Sequence, residues 1–182
     1  MSETVLHAWR HPRAEQAQGR CIGRTELHVD PRRAKRLAHH IRAFARRHGL
    51  SRLVVTSPLA RSRAVGCWLA RWGWRHRVDA ALSELDFGRW DGLHWIAVPR
   101  PEFDAWCADF EAYAPGGGES VGALLQRVRG FEPGAARIAV THGGWLSAAR
   151  WLADRPGAAP SSGQWPAPPR LGERVDLPLA QA

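Results

Sequence analysis

The sequence predicts an α/β fold, a three-layer αβα sandwich around a mostly parallel sheet. Three observations predict it. Short apolar runs alternate along the chain with amphipathic helical segments, several helical segments begin at recognisable caps, and polar residues suited to anions directly follow three of the runs. Such alternation is typical of parallel sheets, because a helix returns the chain to the starting edge after each strand.

Five stretches are predicted as strands. Three of them are almost wholly apolar, as strands covered on both faces of a parallel sheet are. Pro12 bars continued sheet pairing after the first strand, because proline has no N–H to donate. The strands are predicted, in chain order, at residues 4–9, at 53–56, within 75–83, at 137–141 and at 174–177.

The helices are predicted from capping residues and apolar stripes. Asp30 and Pro31 supply an N-cap and a first-turn proline, and Gly49 ends the helix that follows. Ser57 and Pro58 are expected to cap the next helix, which should bury its apolar face. Its predicted buried residues are Val65, Trp68, Leu69 and Trp72. Further helices are predicted over residues 102–113, from a Ser120 cap to about 129, and from 143 to about 152.

Length and composition fit one domain over residues 1–182, with a Pro-rich tail from about residue 156. With 182 residues, 45% of them hydrophobic and 24% charged, the chain can bury a core and does not fit the disordered class. Three widely spaced cysteines imply no disulfide framework. Neither a signal peptide nor an apolar run of about 20 residues is seen, so we expect a cytoplasmic protein without a membrane partner.

Arginine dominates the charge. The formal net charge is +9, and Lys35 is the only lysine among 26 cationic residues. Guanidinium groups bind phosphate and carboxylate well, yet a G- and C-rich genome explains an arginine excess equally well. Net charge therefore indicates anionic partners without choosing one. The basic face of residues 32–48 is interpreted as a solvated helix face.

Three predicted strands end in residues suited to binding an anion. The strand ends are followed by Arg10-His11, by Ser57-Pro58-Leu59-Ala60-Arg61 and by His142-Gly143-Gly144. If the strands are parallel neighbours, two imidazoles and two guanidiniums meet in one crevice at the carboxyl edge of the sheet. Such like charge is costly without an anion, and a phosphate dianion fits it. Gly143 and Gly144 are expected to leave backbone N–H groups free for the same anion.

A histidine beside a bound phosphate has a chemical role. A neutral imidazole nitrogen is a competent nucleophile toward phosphorus, and arginines stabilise the charge of the transition state. Glu84 is the candidate acid that protonates the leaving alcohol. No metal-ligand pattern is present, so neither a metal nor another cofactor is expected.

These motifs, taken together and in order, resemble the histidine phosphatase superfamily with its phosphoglycerate mutase-like fold. Arg10-His11 is similar to the opening motif, and the matches span about residues 5–153. The resemblance implies that His11 is the phosphorylated nucleophile and that Glu84 is the proton donor. It also implies that the phosphoryl group is bound by Arg10, Arg61 and His142.

Two further stretches, residues 19–25 and 85–92, resemble the α-ribazole phosphatase-like branch, which acts in cobalamin biosynthesis. Arg20 and Arg24 either line the mouth of the pocket, as substrate-binding residues, or are solvated charges. Gly143 is the third substrate-binding candidate. The chain departs from the family where Pro12 replaces a glycine and Arg13 replaces an acid. The usual downstream asparagine is also missing.

The predicted function is hydrolysis of a small phosphorylated metabolite, with α-ribazole 5′-phosphate as one candidate. Tryptophans at positions 90, 95 and 106 are predicted to form an aromatic wall, and the short excursion at residues 93–118 leaves water access to the site. The alternative is a phosphoglycerate mutase. A basic nucleic-acid-binding protein with a vestigial site ranks third, because no nucleic-acid-binding motif is present. A homodimer is left open.

Overall fold

A five-stranded sheet forms the centre of the computed structural model, which describes residues 5–179. Its strands are β1 (Val5–Arg10), β2 (Leu53–Thr56), β3 (Arg75–Val78), β4 (Ile138–Thr141) and β5 (Arg174–Pro178). The strand order is β3-β2-β4-β1-β5. The first four run parallel, and β5 pairs antiparallel with β1. Thr4, predicted to begin the first strand, lies outside the described residues.

The register of the central strands aligns their carboxyl ends. Trp9 of β1 and Thr56 of β2 both pair with Val140 of β4, and Arg10 pairs with Thr141. The residues that follow the three strands therefore leave the sheet side by side at one edge. This is the edge where open α/β sheets bind ligands.

Five helices cover the two faces of the sheet or lie beside its carboxyl edge. They are α1 (Pro31–Arg47), α2 (Ala60–Arg71), α3 (Arg100–Ala108), α4 (Val121–Arg129) and α5 (Gly143–Asp154). The helices α1 and α2 pack on one face, where Leu37, Ile41 and Leu69 are buried. On the other face α4 and α5 bury Leu124 and Leu146. The predicted layering is thus observed.

Several caps are as predicted, and others are not. The Asp30 carboxylate accepts from the Arg32 amide, and the Ser120 hydroxyl accepts from the Ala123 amide. The predicted Ser57 cap is wrong: α2 begins at Ala60, and the Leu59 cap position provides no side-chain bond.

Two other expectations about the helices need correction. The helix predicted over residues 102–113 is α3, which starts earlier at Arg100, because Pro101 suits a first turn, and ends at Ala108. The indoles of Trp68 and Trp72 pack against the core but are only partly buried. Cations lie over their outer faces, with Lys35 5.2 Å from the centre of the Trp68 ring and Arg42 5.3 Å from that of Trp72. Within residues 5–179, no helix has both the length and the apolar character needed to cross a membrane.

Candidate active site

Two buried histidines lie side by side at the carboxyl edge of the sheet. His11 follows β1 and His142 follows β4, and the centres of their rings are 5.0 Å apart. The side chain of His142 is fully buried and that of His11 is nearly so. The pairing of β1 with β4 causes this proximity, because it carries two positions 131 residues apart to adjacent strand ends.

His11 presents one free ring nitrogen. Its Nδ1 lies 2.7 Å from the carbonyl oxygen of Pro12. A carbonyl only accepts, so Nδ1 carries the hydrogen and Nε2 keeps its lone pair. Burial, followed by the positive charge of Arg61, lowers the pKa of His11 to about 3. The ring is therefore neutral at physiological pH, which is the form a nucleophile needs.

Pro12 orients His11 without needing its missing N–H, because the bond to the imidazole uses its carbonyl oxygen. Any residue at this position could supply that carbonyl. The glycine of the family pattern could also offer an N–H to an anion, and proline cannot. The departure therefore removes one amide donor from the site and leaves the orientation of His11 intact.

His142 is held by a residue that sequence reasoning missed in this role. Its Nε2 lies 2.6 Å from the hydroxyl oxygen of Ser57, at the end of β2. When that hydroxyl donates to Nε2, the ring hydrogen lies on Nδ1, which is buried and has no partner among residues 5–179. Burial and then the proximity of His11 hold the pKa of His142 well below its usual range. In that tautomer His142 has an N–H to donate, and the ring itself is not among the residues that line the adjacent cavity.

The two arginines are held by neutral carbonyl groups. Arg10 donates to the Pro169 carbonyl at 2.7 Å, and Arg61 donates to the carbonyls of Gly23 and Thr25. Within residues 5–179 neither guanidinium is in an ion pair with a carboxylate. Burial lowers the pKa of both, and the negative charge of Glu84 partly offsets this effect. Their charge remains available to an anion, and the buried Nε of Arg10 has no partner in the part of the chain that the structure describes.

The side-chain carboxylate of Glu84 lies against the N-terminus of α5. Its carboxylate accepts from the amides of Gly144 at 3.0 Å, Trp145 at 3.2 Å and Leu85 at 3.0 Å. The expectation that the Gly144 amide is free for a bound anion is therefore wrong. The helix dipole and amides that bind anions are used here to hold a carboxylate of the protein itself.

The two glycines of the His-Gly-Gly motif allow close approach. A Cβ at position 144 would lie 2.4 Å from Oε1 of Glu84, and one at position 143 would lie 3.0 Å from Cζ of Arg10. Gly143 and Gly144 therefore let the candidate acid and one candidate arginine pack against the first turn of α5.

A cavity of about 780 Å³ opens above these groups. Its polar end includes Arg10, His11, Arg61, Glu84 and Gly143. Its walls are largely apolar and combine aliphatic residues and prolines with six aromatic side chains, those of Phe87, Trp95, Phe103, Trp106, Phe110 and Trp165.

The cavity contains only some of the residues predicted to bind or surround a substrate. Arg20 lines it, while Arg24 is absent from its walls and lies 3.8 Å from Asp86 and 3.9 Å from Glu119. Trp95 and Trp106 line it as expected. Trp90 does not, because its indole is buried and donates to Glu102 at 2.8 Å.

The Pro-rich tail also contributes to the site, which sequence reasoning did not anticipate. Trp165 and the segment 166–168 line the cavity, and the Pro169 carbonyl binds Arg10. The sequence indicates only a Pro-rich tail from about residue 156. Its prolines and apolar residues carry no signal that distinguishes a cavity wall from a loose segment.

Within residues 5–179, no three His, Cys, Asp or Glu side chains are grouped as metal ligands.

Two imidazoles, two guanidiniums and a carboxyl thus lie together at the carboxyl edge of a parallel sheet, where open α/β folds bind their ligands. The model of the histidine phosphatase superfamily (branch 1) matches residues 6–167, and the chain belongs to that superfamily. The fold class and family resemblance predicted from the sequence are thereby confirmed.

Solved structures with the same fold include several phosphatases. One is an Escherichia coli K-12 protein provisionally assigned as an alpha-ribazole-5′-P phosphatase, with TM-score 0.75, 23% identity, and coverage of 96% of this chain and 90% of that one. The alpha-ribazole phosphatase of Shigella flexneri has TM-score 0.71, 21% identity, and coverage of 97% and 91%. A mycobacterial glucosyl-3-phosphoglycerate phosphatase has TM-score 0.62, 25% identity, and coverage of 85% and 81%. No curated protein matches the chain.

Proposed function

We propose that the protein is a metal-independent phosphatase that hydrolyses a small phosphomonoester through a phosphohistidine on His11. One observation carries this proposal: a neutral, buried imidazole with a free Nε2 lies beside two guanidiniums, of Arg10 and Arg61, that no carboxylate within residues 5–179 pairs with. Two buried donors of this site, Nε of Arg10 and Nδ1 of His142, also have no partner among those residues. A phosphoryl group supplies both the negative charge and the acceptors that this site lacks.

The reaction proceeds in two displacements. In the first, which starts from the protonated form of the Glu84 carboxyl, Nε2 of His11 bonds to phosphorus as the phosphorus–oxygen ester bond breaks, and Glu84 gives its proton to the leaving alkoxide. In the second, water attacks the phosphohistidine, Glu84 takes a proton from that water, and the phosphorus–nitrogen bond breaks. Inorganic phosphate leaves, and His11 and Glu84 return to their starting states.

The aromatic walls favour an ester whose alcohol carries a flat ring. Phe87, Trp95 and Trp106 provide apolar surface that stacks on a ring and gives a small polar alcohol few partners. α-Ribazole 5′-phosphate fits this description, and two of the structural neighbours carry the name of that activity. It is therefore the first substrate to test.

The test is phosphate release by the purified protein with EDTA present. The screen covers α-ribazole 5′-phosphate, nucleoside monophosphates, sugar phosphates and 3-phosphoglycerate. We expect release without added metal, with the highest kcat/KM for an ester bearing an aromatic ring. No release from any ester, or release that EDTA abolishes, would overturn the proposal.

The same assay separates hydrolysis from the mutase alternative. A phosphoglycerate mutase retains a bisphosphorylated intermediate and needs 2,3-bisphosphoglycerate for full activity, whereas a phosphatase releases phosphate without it. Interconversion of phosphoglycerates that depends on 2,3-bisphosphoglycerate, with little phosphate release, would identify a mutase instead.

A further inference from the structure

Asp91 is the centre of a hydrogen-bond cluster that the proposed reaction does not use directly. It follows a short 3₁₀ turn, Gly88–Trp90. Its carboxylate accepts from the Gly23 amide at 3.0 Å, the Thr25 amide at 3.0 Å and the Thr25 hydroxyl at 2.7 Å, and also from the Arg24 amide. One carboxylate thus binds three consecutive amides of a segment that has no regular secondary structure.

The other side of that segment holds Arg61. Arg61 donates NH1 to the Thr25 carbonyl at 2.9 Å and NH2 to the Gly23 carbonyl. Its side chain is almost completely buried, so these carbonyls replace the water that a guanidinium otherwise binds. Segment 23–25 therefore lies between the two side chains. Its N–H groups bind Asp91, and its carbonyls bind Arg61.

Close packing fixes the bridging segment. A Cβ at Gly23 would lie 2.3 Å from the Leu85 carbonyl oxygen and 3.1 Å from Oδ2 of Asp91. The segment therefore lies directly against the 85–91 loop, and only glycine fits at position 23. A shift of the Asp91 carboxylate must move the carbonyls that orient Arg61.

We propose that Asp91 is a positioning residue that sets the direction of the Arg61 guanidinium toward a bound phosphoryl group. The reaction it serves is that of the proposed function. A carboxylate in direct contact with Arg61 would also orient it, but would neutralise the charge that the phosphoryl group needs. Because segment 23–25 lies between the two side chains, Asp91 orients Arg61 through the carbonyls of that segment. The guanidinium charge then remains available to the phosphoryl group.

The first test is Asp91→Asn. The amide keeps the size of the side chain, but its NH₂ group cannot accept the backbone N–H bonds. We expect affinity for inorganic phosphate, measured by calorimetry with EDTA present, to fall roughly tenfold, because a misplaced guanidinium loses about 1.4 kcal/mol of charge-assisted bonding. We expect kcat/KM to fall by the same factor for aryl and alkyl phosphates, since Arg61 does not touch the leaving group.

The second test is a double-mutant cycle with Arg61→Met. If Asp91 acts through Arg61, Asp91→Asn lowers kcat/KM less than about twofold in the Arg61→Met background. A general structural role predicts the same loss in both backgrounds. Thr25→Val, which removes one of the four bonds to Asp91 and keeps the volume, is the milder variant if Asp91→Asn folds poorly. It should weaken phosphate binding by a smaller factor in the same direction.

The control is Asp30→Ala, which removes the N-cap carboxylate of α1, whose hydrogen bond goes to the Arg32 amide and not to segment 23–25 or to Arg61. It should lower Tm and leave phosphate affinity unchanged. Wild-type phosphate affinity in Asp91→Asn, or an equal loss in the Arg61→Met background, would overturn the inference. The affinity for inorganic phosphate can be measured without turnover, so it tests the role of Asp91 even if no ester is hydrolysed. A wild-type protein that binds no phosphate would overturn both proposals.

Discussion

At the scale of single residues, burial gives His11 its chemical state. A solvated imidazole is partly protonated near neutral pH and then has no lone pair for attack. Removal from water and the positive charge of Arg61 lower the pKa of His11 to about 3. The Pro12 carbonyl fixes which nitrogen carries the hydrogen. Burial, charge and a single hydrogen bond thus prepare one nitrogen for reaction.

His11→Gln should lower phosphate release at least about a thousandfold, because no other group can take the place of the nucleophile. Arg10 and Arg61 remain, so inorganic phosphate should still bind, as measured by calorimetry. Turnover above a few per cent of the wild-type rate would show that the phosphoryl group is not transferred to His11.

Glu84→Gln tests the proton donor. Alkyl phosphates, whose leaving groups need a proton, should be slowed by about 10²-fold or more, and activated aryl phosphates by much less. The measurement is kcat for a series of esters with leaving groups of different acidity. Equal slowing across the series would contradict the acid role and indicate that Glu84 only shapes the start of α5.

At the scale of elements, helix α4 holds the segment that carries Glu84. Arg127 of α4 donates to the carbonyls of Ala81 at 2.9 Å and Ser83 at 2.7 Å. It also forms paired bonds to Glu119 at 2.9 Å and 2.7 Å. Both side chains of this pair are mostly buried, with 18% and 13% exposed. The position of the candidate acid thus depends on α4 as well as on the start of α5.

Arg127→Met should lower the free energy of unfolding by about 3 kcal/mol, because it leaves the Glu119 charge and two carbonyls without their partner. It should also lower kcat in the folded protein, since Glu84 loses its support. Urea unfolding and initial rates check this. Arg129→Met on the same helix is the matched control: Arg129 is exposed, and a change within about 0.5 kcal/mol is expected. Equal effects of the two substitutions would contradict the interpretation.

At the scale of the whole molecule, two buried neutral histidines couple stability to pH. Both pKa values lie below the ordinary value of 6.5, chiefly through burial. Above pH 6.5 neither the folded nor the unfolded imidazoles bind protons. As the pH falls below 6.5, the unfolded chain binds protons that the folded protein does not, so acid destabilises the fold. For His11 this penalty grows until the pH reaches about 3.

The free energy of unfolding should therefore fall with acidification between about pH 6 and pH 4, with His11 contributing about 1.4 kcal/mol per pH unit. The measurement is urea unfolding at several pH values for the wild-type protein and His11→Gln. The variant should show a slope shallower by that amount. Identical slopes would show that His11 is protonated in the folded protein.

Local sequence patterns were enough to predict much of the fold and of the candidate site. The apolar strands, the Asp30 and Ser120 caps and the order of the Arg-His, Ser57–Arg61, Glu84 and His-Gly-Gly motifs predicted the sheet, the helices and the grouping of the site. Each strand, cap and motif is set by a few neighbouring residues, and the grouping of the motifs follows because they stand at the carboxyl ends of parallel strands. Local patterns therefore sufficed to predict them.

The tertiary structure alone decided which partner each of these groups has. Ser57 binds His142 instead of capping α2, Glu84 takes the amide of Gly144, and the tail supplies Trp165 to the cavity. Asp91 reaches a segment 66 to 68 residues away in sequence. Such pairings depend on strand order and packing, because a side chain bonds to whatever the fold brings within about 3 Å, and no local pattern encodes that neighbour.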